Sequence, residues 1–408
     1  MGKKKTIQDK EWGKDVFPLL SWFKADKVKN ARVLVAGAGA LGNEALKNLA
    51  LFGVGNIVVV DFDKIEYSNL TRSILFREED ADKGYYKAEI AVKRVKEINP
   101  TINVQAICGN LATDVGLGLY RRVDVVLGCL DSLIARLLLN RLSFRAGKPW
   151  IDGGIGDLEG QVSAYQIGNC CYECSLTEEE EKDLEGRMSC AGITRENESF
   201  GRVATTPVIA SIIAAVQVQE AMKIIHTEEG SEEIFTPLLG KIFHYEGMHP
   251  FTEIFDFESY RDECFSHEHW DNVIEIAELS ADTPVGETLE IIKKALGANQ
   301  AEINMRNDKF VDKLVSRSDN KKFTPMLPES KIPDYIDASE ELRSIAFVEG
   351  GLYQNSYENI DDEFPYPELT LKQIGIPYWD VVQVATDKGY AYVELSADRK
   401  HFKELFPD

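Results

Sequence analysis

The sequence predicts a doubly wound α/β protein with a smaller α+β unit at its C-terminal end, and three observations predict it. Residues 31–150 alternate strand-like apolar runs at 33–36, 57–60, 103–108 and 123–127 with helix-length segments, the signature of a parallel sheet crossed by helices. The first run passes directly into Gly37-Ala38-Gly39-Ala40-Leu41-Gly42 and a helical segment. From Asp271 onward the character changes to a helix at 287–296, a stretch broken by Pro325, Pro328 and Pro333, and an acidic linker before two short strands.

Taken in order, the strand, glycine turn and helix around Gly37, Gly39 and Gly42 aim backbone N–H groups at a phosphate. The next strand ends in Asp61, about twenty residues on, where a carboxylate accepts hydrogen bonds from ribose hydroxyls. The segment TEEEEKDLEGR, Thr177 to Arg187, is acidic and poor in apolar residues, so it reads as an exposed crossover spanning about 175–205. Thr206 and Pro207 supply the cap and first position of a helix running to about His226. Runs at 381–385 and 390–395 flank Thr386-Asp387-Lys388-Gly389, a hairpin signal. The expected organisation is two domains, 1–275 and 276–408, without repeats or low-complexity tracts.

With 408 residues, 44% of them hydrophobic, the chain can build a sizeable core. Its formal net charge of −22 argues against nucleic acid or an anionic membrane as partner. Seven irregularly spaced cysteines are not a secreted disulfide framework and read as reduced thiols, some metal-bound. The N-terminal MGKKKTIQDK lacks the apolar core of a signal peptide, and the longest apolar run, 208–218, is too short to span a bilayer. A cytoplasmic protein is expected. Met1-Gly2 with Thr6 fits only the loose myristoylation pattern.

By spacing alone, the glycine turn suits a nicotinamide or flavin dehydrogenase as well as an ATP enzyme. The stretch Asp61-Phe62-Asp63-Lys64-Ile65-Glu66-Tyr67-Ser68-Asn69-Leu70-Thr71-Arg72, with Lys87-Ala88 after it, separates them. It closely resembles the ThiF, MoeB and ubiquitin-activating superfamily of adenylating enzymes, whose Rossmann-like domain carries a D-x-D-x-I-x-x-S-N-L-x-R run and a later K-A pair. The resemblance implies that Asp61 and Asp63 hold the ribose of ATP and that Asn69, Arg72 and Lys87 position phosphates. Cations spread along a triphosphate suit attack at its α-phosphate. Asp131 matches the family aspartate that binds magnesium, with Arg136 and Asn140 at the family spacing. The chain departs from relatives with an N-terminal R-x-x-R-Q element, having Lys10, Trp12 and Lys14 there.

Cys171-Tyr172-Glu173-Cys174 and Cys264-Phe265-Ser266-His267 are two paired knuckles, together a four-ligand zinc site of the closed structural kind. MoeB-like relatives carry two CxxC pairs there, so the CxxH is a departure. His269 rivals His267, and Cys170 blurs the register of the first pair. Cys190, in Arg187-Met188-Ser189-Cys190-Ala191-Gly192, lies where superfamily members commonly carry the thiol that receives the activated acyl group. Its alternative is an inert loop cysteine, because MoeB-type members need no enzyme thioester. Arg187 and Arg195 favour its thiolate, and the glutamates at 178–181 oppose it. Cys108 and Cys129 sit inside strand patterns and are expected in the core. Residues 369–398 look like the β-grasp, ubiquitin-fold domain that recruits a conjugating enzyme, or else a small unit that stabilises a dimer. The expectation is a homodimer that activates a ubiquitin-like protein ending in glycine and passes it to an E2-like conjugating enzyme. Its rivals are a sulfur-carrier adenylyltransferase and a catalytically inactive interaction subunit.

Overall fold

The computed structural model describes residues 12–405 apart from 14–15, 178, 181, 183–204, 228–234, 250, 258–259, 306–307 and 347–350. Its main sheet has eight strands: β1 Arg32–Ala36, β2 Asn56–Val60, β3 Asn103–Ile107, β4 Val125–Gly128, β5 Trp150–Ile155, β6 Glu159–Tyr165, β7 Lys241–Glu246 and β8 Phe251–Asp256. Their order is β3-β2-β1-β4-β5-β6-β7-β8. The first five run parallel, and β6 to β8 extend the sheet antiparallel.

Helices wind over both faces: α1 Ala25–Asn30, α2 Ala40–Phe52, α3 Glu78–Asp82, α4 Lys87–Ile98, α5 Leu117–Tyr120, α6 Leu133–Ala146 and α7 Pro207–His226. Alternate residues of each central strand serve opposite cores. Val33, Val35, Ile57 and Val59 meet Leu46, Ile213 and Val218 on one side. Leu34, Val58 and Val126 meet Leu139, Phe144 and Trp150 on the other. Burial on both faces is why these strands read as unbroken apolar runs rather than as alternation.

Helix α7 begins as its cap predicts, with Thr206 Oγ1 accepting the Ile209 N–H at 3.3 Å. By length and composition alone its 20 residues could cross a membrane. Ile209, Ala210, Ile213, Ala214, Val218, Ala221 and Met222 are instead buried, and α7 packs on α2 and β5 as a core helix. One expectation fails: Cys108 lies just past β3 and is exposed. The reason is position, because β3 is an edge strand with a neighbour on one side only.

The C-terminal part is α+β. A five-stranded sheet has the order β15-β10-β16-β17-β9, from β9 Ile274–Ile276, β10 Ala301–Asn304, β15 Asn359–Ile360, β16 Val381–Thr386 and β17 Gly389–Leu395. The first of these strands, β9, runs parallel to the last, β17, and helix α8 Val285–Leu296 follows β9. The hairpin at 386–389 forms as read, with Thr386 opposite Gly389. Strands β11 Phe310–Ser316, β12 Lys322–Phe323, β13 Leu327–Pro328 and β14 Leu352–Tyr357 make a second sheet.

This part is anchored to α5 and the residues after it through two buried carboxylates, Glu394 and Asp380. Glu394 is fully buried and takes Arg121, Arg122 at 3.3 Å and Arg399 at 2.8 Å, with the Trp379 indole N–H at 3.0 Å. Beside it, Gly118 N–H donates to the Trp379 carbonyl at 2.9 Å. A Cβ on Gly118 would sit 2.4 Å from that oxygen, so only glycine permits the approach. Asp380 accepts the Leu117 N–H at 2.8 Å, which fastens the start of α5.

Two outcomes are expected. Glu394→Gln leaves charged arginines without their shared acceptor and should lower the unfolding free energy in urea by about 3 kcal/mol. Burial pushes the Asp380 carboxyl up to about 6, from 3.8. The folded state therefore binds that proton more tightly than the unfolded chain, and the stability this contributes is lost as pH rises through the folded value. The unfolding free energy of Asp380→Asn relative to the native protein should accordingly rise between about pH 4 and pH 7, and a flat difference profile contradicts the assignment.

Candidate active site

The carboxyl ends of β1, β2 and β4 meet where the strand order reverses, the place where open α/β sheets bind ligands. Gly37, at φ 96°, turns the chain out of β1, and its N–H donates to Val60 O at 2.8 Å. A Cβ at Gly37 would lie 2.3 Å from Cys129 O, and one at Gly42 would lie 2.0 Å from Gly37 O. Gly39 has open space around it and caps α2 without a side-chain bond. The first N–H groups of α2 therefore face the crevice, a partial positive charge ready for a phosphate.

Asp61 ties β2 to this turn: its Oδ2 accepts the Ala38 N–H at 2.7 Å and its Oδ1 the Asp63 N–H at 2.8 Å. Burial pushes its carboxyl up from the usual range, and Lys87 together with the two N–H bonds opposes that. Lys87, at the start of α4, reaches Asp63 Oδ2 at 2.6 Å. Asn69 Oδ1 accepts the Glu66 N–H at 2.9 Å and closes the short turn Tyr67–Thr71 that ends at Arg72. Arg72 donates to Ser68 O at 2.7 Å, and among the described residues no carboxylate pairs with it. Asp131 is exposed, two residues beyond the Cys129 that touches Gly37.

Arg136 and Asn140 have structural employment. Arg136 lies 3.2 Å from Asp152 and donates to Leu130 O at 2.9 Å. Asn140, fully buried, accepts from Trp150 Nε1 at 3.1 Å and Tyr172 N at 3.2 Å. Sequence reasoning missed Asn43, buried in α2, which donates to Ala38 O at 2.7 Å and accepts the Leu75 N–H at 2.8 Å. It staples the glycine turn to the chain beyond Arg72. A polar residue on the core face of an amphipathic helix was the available signal. Cys190, Arg187, Arg195, Lys10 and Lys14 lie outside the described residues; Trp12 donates to Leu51 O at 2.9 Å.

The two knuckles come together: ligand atoms of Cys171, Cys174, Cys264 and His267 all lie within 4.8 Å of one another. Cys171 Sγ is 3.6 Å from Cys264 Sγ, and Cys174 Sγ is 3.4 Å from His267 Nε2. Metal–ligand bonds of about 2.3 Å to sulfur and 2.0 Å to nitrogen give tetrahedral edges of roughly 3.8 and 3.5 Å. The donor set and spacing fit zinc. His269 is spent elsewhere, its Nδ1 3.1 Å from Phe144 O and its Nε2 2.9 Å from Asp271.

The ThiF family matches residues 11–265. The chain is 30% identical over 230 residues to the sulfur carrier protein adenylyltransferase of Thermus thermophilus, covering 55% of this chain and 77% of that one. It is 38% identical over 151 residues to SUMO-activating enzyme subunit 2 of Dictyostelium discoideum, covering 36% of this chain and 22% of that one. Over 212 residues it is 34% identical to a probable molybdopterin-synthase adenylyltransferase of Porphyra purpurea, covering 52% of each. The chain thus spans less than two thirds of the length of the last two.

Purified without chelator, the protein should carry about one zinc per chain by elemental analysis, and Cys174→Ser should lower metal content and thermal midpoint together. Metal-free protein of native stability contradicts this.

Proposed function

Because the chain belongs to the ThiF family, we propose that it is an ATP-dependent adenylating enzyme acting on the C-terminal glycine of a ubiquitin-like protein. The observation that carries the reading is an open glycine turn and two carboxylates (Asp61, Asp63) at one sheet crevice, with Lys87 paired to Asp63, exposed Asp131 two residues past the Cys129 that meets Gly37, and Arg72 ending the run that starts at Asp61. A dinucleotide needs only the first two of these.

The turn at Gly37 and Gly39 and the start of α2 hold phosphate oxygens by N–H groups. Asp61 and Asp63 accept from the ribose hydroxyls. Arg72 and Lys87 offset charge that shifts toward the β,γ-phosphates as the carrier's carboxylate oxygen attacks the α-phosphorus. The α–β bridging P–O bond breaks, its electron pair leaves with pyrophosphate, and an acyl adenylate remains. Asp131 would supply an oxygen ligand for magnesium, which would neutralise phosphate charge there. The Cys190 thiolate then attacks the acyl carbon and expels AMP, giving a thioester that the C-terminal part presents to a conjugating enzyme. A second reading, in which the adenylate passes to a sulfur donor instead, is favoured by the relative that this chain matches over most of its length, a sulfur carrier protein adenylyltransferase.

Pyrophosphate exchange into ATP, measured with carrier and magnesium, tests the first step. Asp131→Ala should reduce it by about a hundredfold or more, and full activity in that variant refutes the assignment. Cys190→Ala should keep exchange yet lose the thiol-sensitive adduct with the carrier. A native enzyme that exchanges but never forms that adduct supports the second reading.

A further inference from the structure

Helix α7 carries one fully buried amide on its sheet-facing side, Gln217. Its Nε2 donates to Gly128 O at 2.9 Å and to Ile151 O at 3.3 Å, and so bridges the carboxyl end of β4 and the second residue of β5. Two carbonyls on one side fix the amide's orientation and turn its Oε1 toward Cys129, whose thiol lies 3.9 Å away. The fit is tight: a Cβ on Gly153 would stand 2.5 Å from the Gln217 amide carbon.

Cys129 is held from two directions. On the β1 side its N–H donates to Ala36 O at 2.8 Å, and its carbonyl abuts Gly37. On the other side stands Gln217. Asp131 comes two residues later, where the chain has left β4 and not yet entered α6. The carboxylate therefore has no anchor of its own in the sheet, and its place relative to the glycine turn is set by where Gly128 and Cys129 sit. A shift of a few tenths of an ångström there moves Asp131, while Asp61 keeps its own bonds to the Ala38 and Asp63 N–H groups and Lys87 its pair with Asp63.

The geometry points to Gln217 as a positioning residue for adenylation: through Gly128 and Cys129 it sets where Asp131 meets a nucleotide-bound divalent cation. This rests on the proposed adenylation. The role is confined to the metal-dependent part of nucleotide binding, because the glycine turn and Asp61 make their own contacts with each other.

The test uses the full chain and an ATP analogue with a methylene group in place of the α,β-bridging oxygen, with binding measured by calorimetry across a magnesium series and pyrophosphate exchange followed in parallel with ATP. Gln217→Met keeps volume and removes both donors. Gly153→Ala leaves Gln217 in place and displaces its amide, and it decides the matter should Gln217→Met fail to fold. In each, the magnesium concentration for half-maximal binding should rise about tenfold, while affinity without metal changes less than about twofold. Zinc content and cooperative unfolding should stay native. An unchanged magnesium dependence in a folded variant overturns the inference. So does an equal loss of binding with and without metal, since Gln217 would then merely hold the sheet together. A native protein that neither binds the analogue nor exchanges pyrophosphate refutes the adenylation reading itself.

Discussion

The contact between Gly37 and the Cys129 carbonyl is the constraint on which the rest of the crevice depends. With 2.3 Å between that oxygen and where a Cβ would stand, the turn after β1 and the turn after β4 touch backbone to backbone. No side chain separates them. The same glycine turn receives Asp61, which reaches from the end of β2 to the Ala38 N–H. Alanine at Gly37 would have to part the two turns, and the positive φ there adds strain of its own.

The crevice mixes charges of both signs. In a chain with a formal charge of −22, Lys87 and the N-terminus of α2 lie close to Asp61 and Asp63 at the carboxyl end of β2. Asp63 holds Lys87 and Ser68 O holds Arg72, so neither long side chain has to be ordered from scratch when an anion arrives.

The C-terminal part is not a loosely tethered appendage among the described residues. Trp379, Val381, Phe402 and Leu405 complete the same core that α5 and α6 build against the sheet. Glu394 gathers arginines from the two residues after α5 and from beyond β17. Whatever this part presents to a partner is thereby presented in a fixed direction relative to the crevice.

Local signals were legible in the sequence because each is settled within a few residues. The apolar runs of β1, β2 and β4, the glycine turn, the cap at Thr206 and the hairpin at 386–389 need only backbone preferences and periodicity, and the structure has them within a residue or two. The ordered run from Asp61 to Arg72 was readable by its resemblance to the adenylating superfamily, not by periodicity. Long-range choices were legible only where two short motifs paired, as in the Cys171/Cys174 and Cys264/His267 knuckles. Cys171 and Cys264 stand 93 positions apart, and whether His267 or His269 faces them turns on Phe144 O and Asp271, which capture His269. Asn43 and Gln217 look like polar interruptions of apolar helices until the turns they hold are seen. Glu394 is one acidic residue in an acidic chain. Its burial, and the arginines drawn to it, exist only once β17 lies against α5, because a charge's environment is fixed by packing and not by its neighbours in sequence.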